Sequence, residues 1–200
     1  MRDLAIFPLS STLFPRGVLN LRIFEARYLD MVSECMKEGR PFGVCRITHG
    51  QETGDAADHE TVGCLARIID WDMEKLGLLH LRVQGERRFA VLNRRVEKNA
   101  LVRADVSLLA DDPDVRMPED LACCADLARR LVERLELDEP RIAHRLVVGP
   151  YDFESASWVG NRLCEFLPIP PRARQKLMEL DEPLTRLYLV KQILEKEKLL

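Results

Sequence analysis

LAIFPLSSTLFPRGVLNLRIFEARY, residues 4–28, is the segment of this 200-residue chain that says most about its fold. It contains short apolar runs that are interrupted by Pro8 and Pro15. Because proline cannot donate a hydrogen bond to a sheet ladder, we expect both prolines at strand ends or edges. We predict that Glu25 is either partly buried with a basic partner, for which Arg88 is the candidate, or exposed at a helix start, where its charge favours the free amides.

Short extended runs continue to about residue 110, and this pattern predicts a sheet that is closed on itself or folded over. The predicted strands cover residues 5–7, 18–21, 42–47, 62–71, 78–83, 88–92 and 101–109. Gly43, Gly63 and Gly85 are expected at bulges or close backbone approaches. One helix is predicted over residues 25–38, ended by Gly39, and a polar loop over residues 48–61.

The pattern becomes helical after a hydrophilic connector at residues 110–119. One apolar stripe consists of Leu121, Ala125, Ala128, Leu131 or Val132, and Leu135. A short piece follows at residues 142–148, and further helices are predicted over 155–167, 172–179 and from Asp181 onward. We therefore expect an α+β protein with a β-rich domain over residues 1–110 and a helical bundle over residues 118–200.

Charge argues against nucleic acid as the ligand. The formal net charge is −3, with 16 basic and 15 acidic residues up to residue 110 and 14 basic and 18 acidic residues after it. Neither part has the basic field that phosphate binding requires. The first apolar run is also far shorter than the ~20 residues that span a bilayer, so we expect a cytoplasmic protein without membrane attachment.

Cysteine and histidine give no sign of a metal or catalytic site. The six cysteines include no Cys-x-x-Cys pair, and most lie in apolar segments, which favours buried thiols in a reducing compartment. His49, His59, His80 and His144 are scattered, and no Gly-x-Ser-x-Gly elbow is present. We therefore predict no enzymatic activity, no metal and no cofactor.

Six motifs occur in the order and approximate spacing of the amino-terminal domain of Lon proteases, and the chain resembles that family over almost its whole length. They are Phe7-Pro8-Leu9, Leu13-Phe14-Pro15, Ile23-Phe24-Glu25 with Arg27-Tyr28, Phe42-Gly43-Val44, Val62-Gly63-Cys64-Leu65-Ala66-Arg67-Ile68, and Val83-Gln84-Gly85 with Arg88-Phe89. The resemblance implies a PUA-like pseudo-barrel followed by helices. No Gly-x-x-x-x-Gly-Lys-Ser/Thr phosphate loop is present in the sequence, so we expect a stand-alone relative without the ATPase and protease modules.

The resemblance implies a protein that binds polypeptides and does not catalyse a reaction on them. Its expected partners are exposed apolar segments of unfolded chains or a partner protein, with a protease or a chaperone among the candidates. Recognition of this kind needs exposed apolar side chains or an unpaired strand edge. The predicted contact residues are Leu13, Phe14, Leu19, Phe24 and Trp71.

Two other functions remain open from the sequence. An RNA-binding PUA-like module would use Arg87, Arg88, Arg94, Arg95 and Arg103 as a basic stripe, although Glu86 and Glu97 dilute it. A small-molecule sensor would place an apolar pocket at the junction of barrel and bundle.

Overall fold

The computed structural model describes residues 1–138 and 146–200, which form two compact units, Met1–Ala110 and Asp111–Leu200. His144 and most of the predicted piece at 142–148 lie outside the described residues. Within the described part of the chain, no helix combines the length and the apolar character that crossing a membrane requires.

Among the residues that the structure describes, the strands all lie in the first unit, together with one helix. The strands are β1 Leu4–Leu9, β2 Val18–Ile23, β3 Phe42–His49, β4 Asp58–His59, β5 Val62–Lys75, β6 Leu78–Val96 and β7 Val102–Leu108, and the helix is α1 Ala26–Glu38. Each predicted strand is present, but residues 78–83 and 88–92 belong to one long strand, β6. The two-residue strand β4 lies in the segment that was predicted as a loop.

Five strands close into a ring, which confirms the predicted pseudo-barrel. The order β1-β7-β6-β5-β3 returns to its start through parallel pairing of β1 with β3, where Ile6 is in register with Gly43. Strand β2 pairs with β6, and β4 pairs with β3. Pro8 lies on β1 beyond the residues paired with β7, so its missing amide removes no bond to that strand.

Helix α1 buries one face against the sheet. The β-rich unit has two clusters of buried apolar residues. The larger core contains Tyr28, Met31, Val32 and Cys35 of the helix and strand residues such as Leu81. Burial of a large apolar side chain contributes about 1.5–3 kcal/mol. Gly39 ends the helix as predicted, with a φ of 63° in the left-handed region that glycine adopts without strain.

Leu13 and Phe14 belong to the core, so the structure does not place these two predicted contact residues on the surface. Their side chains are 1% and 0% exposed. The turn after β1 is held on β6 by two backbone bonds, from the Arg16 amide to the Gly85 carbonyl and from the Gly85 amide to the Gly17 carbonyl, both 2.8 Å. At Gly85 an added Cβ would overlap the Phe14 carbonyl oxygen, which confirms the predicted close approach.

The second unit is helical. A short 3-10 helix, Glu119–Leu121, precedes α2 Ala122–Asp138, α3 Ala156–Phe166, α4 Pro171–Glu179 and α5 Pro183–Lys196. Of the predicted stripe on α2, Leu121, Ala125, Ala128 and Val132 are buried. Ser155 caps α3 by accepting a hydrogen bond from the Trp158 amide at 3.2 Å. Proline occupies the first turn of α4 and of α5, where its missing amide costs no helical bond.

A buried ion pair holds the start of this unit to its last helix. The Arg186 side chain is fully buried, and its Nη1 donates to Asp112 Oδ2 at 2.7 Å. Its Nε donates to the Leu177 carbonyl at 2.9 Å, and its Nη2 donates to the Leu180 carbonyl. The Asn161 amide also donates to Asp112, at 3.2 Å. The guanidinium thus ties three separate segments together through charge-assisted hydrogen bonds.

Cys123 is the one exposed cysteine of the six, all of which are free thiols. Burial raises the pKa of Cys35 to about 11 and that of Cys124 and Cys164 to about 12, so these thiols stay protonated at neutral pH.

Because the thiolate is the reactive form, we expect a maleimide at pH 7 to modify the folded protein once, at Cys123. Mass spectrometry of the labelled protein checks this. A Cys123→Ser variant should stay unlabelled until it is denatured, and rapid labelling of that folded variant would contradict the prediction.

Candidate functional site

Strands β2, β6 and β5 form a three-stranded layer in which the two faces differ in chemistry. Leu21 and Trp71 both lie opposite Leu81, so these three side chains share one face. Arg22 and Asp72 both lie opposite His80 on the other face. We call these the apolar face and the polar face. Helix α1 covers part of the apolar face, because Leu21 and Leu81 share its core.

Apolar side chains project into solvent at the outer end of this layer. Trp71 is 52% exposed, Phe24 is 56% exposed, and Leu76 at the β5–β6 turn is fully exposed. The exposed side chains of this region form the hairpin surface, defined by Phe24, Ile69, Trp71, Met73 and Leu76. Phe24 directly follows β2, and the other four lie on β5 or at its turn. Clustered exposed apolar residues mark interaction sites on proteins that fold in water.

A groove runs between the end of α1 and β5. It has a volume of about 380 Å³ and is lined by Cys35, Met36, Gly39 and Arg40 on one side and by residues 67–71 on the other. Burial is the main cause that raises the pKa of the Cys35 thiol to about 11. That thiol is therefore protonated at neutral pH, and its protonated form is a poor nucleophile.

The structure separates the predicted contact residues into three groups. Phe24 and Trp71 are exposed and lie at the same end of the β2-β6-β5 layer. Leu19 is half-buried against the larger core, and Leu13 and Phe14 are inside it. Sequence reasoning missed Ile69, Met73 and Leu76. Ile69 lies at a register shift between Ile68 and Asp70, and such a bulge leaves no clear mark on the alternating pattern.

Glu25 forms its ion pair with Arg27 instead of the predicted partner Arg88. Arg27 Nη2 lies 3.0 Å from Glu25 Oε2, and the Arg27 side chain is 4% exposed. Arg27 also donates to the Ala100 carbonyl at 2.9 Å and stacks 4.5 Å from the centre of the Tyr28 ring. Glu25 precedes α1 but makes no capping bond. Arg88 is buried on β6 opposite Cys64, so it belongs to the interior of the sheet.

Three of the five arginines of the RNA-binding alternative are paired with acids. Arg94 pairs with Asp58, Arg95 pairs with Asp3, and Arg103 pairs with Glu34 at 2.6 Å. Arg88 is buried and thus out of reach of a phosphate. Phosphate binding needs cations that face solvent without competing carboxylates, so this stripe lacks the electrostatics of a nucleic-acid interface.

Among the described residues, no group of three metal-binding side chains is present. His59 is half-buried, and its Nδ1 lies 2.8 Å from the Glu60 carbonyl oxygen. Burial lowers the pKa of His59, so its neutral form is favoured at neutral pH. The histidine thus has a local structural partner.

The helical unit has a second apolar groove, of about 440 Å³. Leu177 and Leu180 line one side, and Leu189 and Ile193 of α5 line the other. Lys176 also lines it, and its Nζ lies 2.6 Å from Glu179. This groove is independent of the hairpin surface, since each lies within its own unit.

The closed ring of strands in the first unit and the helices of the second define an α+β protein built of two compact units. Residues 3–196 match the family model of the ATP-dependent protease La (LON) substrate-binding domain. The chain belongs to that family.

Known relatives agree with this assignment. The chain is 25% identical to the Lon protease of Cytophaga hutchinsonii over 97% of its own length and 24% of that protein. It is 28% identical to the Lon protease of Anaeromyxobacter dehalogenans over 98% of its length and 23% of that protein. The chain thus spans about a quarter of the length of these curated relatives.

Solved structures show the same fold. A Lon N-terminal domain protein from Xanthomonas campestris superposes with a TM-score of 0.76 and 34% identity, covering 96% of this chain and 98% of that one. The N-terminal domain of Mycobacterium avium complex Lon protease superposes with a TM-score of 0.59 and 14% identity, covering 94% and 96%. At that lower identity the likeness concerns the fold alone.

Proposed function

We propose that this protein binds exposed apolar segments of unfolded polypeptides on the hairpin surface, and that it does so without catalysis. The observation that carries the proposal is the projection of Trp71, Phe24 and Leu76 into solvent from one end of the β2-β6-β5 layer. Large exposed aromatic and aliphatic side chains lose contact with water when a partner covers them, which is the main favourable term in such association. The chain's membership of a family of substrate-binding domains supports the same function.

Trp71 is expected to dominate this interaction. Tryptophan is enriched among the interface residues whose truncation costs most, about 2 kcal/mol or more, which corresponds to a roughly 30-fold change in Kd. We therefore expect Trp71→Ala to weaken binding of fluorescently labelled, reduced and carboxymethylated α-lactalbumin by about that factor. Fluorescence anisotropy in the absence of ATP measures the affinity.

A matched control is Leu92→Ala, because Leu92 is 68% exposed on β6 but lies outside the hairpin surface. Its affinity for the unfolded probe should stay within about twofold of the parent protein, as for surface contacts that are not covered on binding. Equal losses for the two variants, or no binding by the parent protein, would refute the proposed function.

A further inference from the structure

Part of β5 is paired on one side only. Its pairing with β3 ends at Ala66, opposite Phe42, whereas its pairing with β6 continues to Lys75, opposite Leu78. Over the described part of the chain, no strand pairs with residues 67–75 on the side away from β6. This open edge is nine residues long, about 30 Å at 3.3 Å per residue, and therefore exceeds the length of an average strand.

The hydrogen bond of the Trp71 amide is evidence that this edge faces solvent. The Trp71 N–H donates to the Asp70 side chain at 2.9 Å, and this bond is exposed. A neighbouring carboxylate thus occupies the donor that a strand partner would otherwise use. A carbonyl of an added strand can replace the Asp70 carboxylate at little cost in free energy, because one hydrogen bond of the Trp71 amide is exchanged for another.

The groove lies beside this edge, and its lining includes Trp71 of the apolar face and Asp70 of the polar face. Its β5 wall is residues 67–71, and Met36, Gly39 and Arg40 form the opposite wall. A strand added next to β5 would direct alternate side chains towards Trp71 and the groove, because side chains alternate between the two faces of a sheet. Gly39 has no side chain and adopts the left-handed conformation, so it leaves room at the groove wall.

On the polar face, the β5 edge itself carries two carboxylates. Asp70 and Asp72 are exposed and share that face, opposite Arg82 and His80 of β6. The arginines that line the groove already have acidic partners, since Arg67 pairs with Glu86 and Arg40 pairs with Glu34 and Glu38. An added strand therefore meets apolar groups on one face and carboxylates on the other.

We propose that the open edge of β5 receives an extended polypeptide segment as an additional strand, with apolar residues alternating with basic ones. The apolar side chains enter the groove beside Trp71 and Met36, and the basic side chains lie next to Asp70 and Asp72. The main chain supplies affinity through hydrogen bonds, and the alternation supplies selectivity. This proposal rests on the proposed polypeptide binding and adds the conformation and the chemistry of the bound segment.

The test uses three synthetic heptapeptides with the same side chains, acetyl-KVKVKVK-amide and two N-methylated isomers. One isomer carries N-methyl groups on its three valines and the other on its last three lysines. In a strand, the amides of alternate residues point to opposite edges, so only one isomer loses the bonds to β5. We expect the unmodified peptide to bind, and we expect the two isomers to differ in Kd by at least about tenfold, which corresponds to two or three hydrogen bonds.

Hydrogen exchange locates the contact. With the unmodified peptide bound, exchange of the Trp71 amide should slow by about tenfold or more, because that N–H then lies within a sheet. Amides of β2, at the opposite edge of the layer, should exchange as before and serve as the internal control. Slower exchange of β2 without protection of Trp71 would overturn the assignment to β5.

The two proposals fail in different ways. Equal affinities of the two N-methyl isomers, or binding of unfolded α-lactalbumin without binding of the unmodified heptapeptide, would overturn strand addition and leave polypeptide binding in place. Absence of binding to unfolded α-lactalbumin would overturn polypeptide binding itself, and an unchanged Kd for Trp71→Ala would overturn its assignment to the hairpin surface. Tighter binding of a peptide in which glutamate replaces every lysine would refute the preference for basic residues.

Discussion

An Asp112→Ala variant is expected to lose about 3–5 kcal/mol of unfolding free energy in the helical unit, because the substitution leaves the Arg186 guanidinium buried without its counter-charge. The Arg186 side chain is 0% exposed and that of Asp112 is 7% exposed, so water cannot replace the missing carboxylate. The Asn161 amide loses an acceptor as well. The bonds from Arg186 to the Leu177 and Leu180 carbonyls remain, and they satisfy only part of the guanidinium.

Urea denaturation followed by Trp158 fluorescence measures this effect. The chain has two tryptophans, so a Trp71→Phe background makes the buried Trp158 of α3 the only reporter. The matched control is Asp138→Asn, which breaks the exposed Arg134–Asp138 pair and should cost less than about 0.5 kcal/mol. A loss for Asp112→Ala as small as that of the control would show that the buried pair does not stabilise the unit.

Gly85→Ala should destabilise the β-rich unit by about 3 kcal/mol, the upper range for added volume in a closely packed interior. An added Cβ would overlap the Phe14 carbonyl oxygen and lie 3.2 Å from Cys64 Sγ. The backbone cannot simply withdraw, since the Gly85 amide and carbonyl both bond to the turn at 2.8 Å. Hydrogen exchange of β6 amides reports the loss of stability in this unit.

The same substitution at Gly160 is the control. In helix α3 its added Cβ would meet Arg186 and Leu187 at 3.7 and 3.8 Å, which is ordinary packing distance. Alanine is favoured over glycine in a helix by about 1 kcal/mol, so Gly160→Ala should be neutral or stabilising. A Gly85→Ala protein as stable as the parent would mean that the turn after β1 can move away from the sheet.

Regular patterns made the elements of the fold predictable. The alternation of Leu79, Leu81 and Val83 with polar residues marks β6, and the spacing of Tyr28, Val32 and Cys35 marks α1. The pairing of β1 with β3, which closes the ring, could not be predicted from the sequence. It joins two short apolar runs in parallel, and no local sequence signal specifies such a partner. The short strand β4 was missed because its two residues are too few to show an alternating pattern.

The candidate site was only partly predictable, because exposure of an apolar residue depends on what the fold brings against it. Phe14 and Phe24 both stand in short apolar runs next to a turn or a helix start, yet one is buried under the turn on β6 and the other is exposed. Likewise, Glu25 finds its partner at Arg27, two residues away, while the more distant Arg88 is enclosed by the sheet. The local sequence around these residues therefore does not tell which phenylalanine is exposed or which arginine pairs with Glu25.

Closure of the ring through β1 has a consequence for synthesis of the protein on the ribosome. Leu4 and Ile6 pair with Ala104 and Val102, about a hundred positions later in the sequence. At 5–20 residues per second, the first strand waits about 5–20 s before its partner has been translated. During that time the nascent chain carries an apolar strand with no antiparallel neighbour, and such an unpaired strand edge is a site for wrong pairing with other chains.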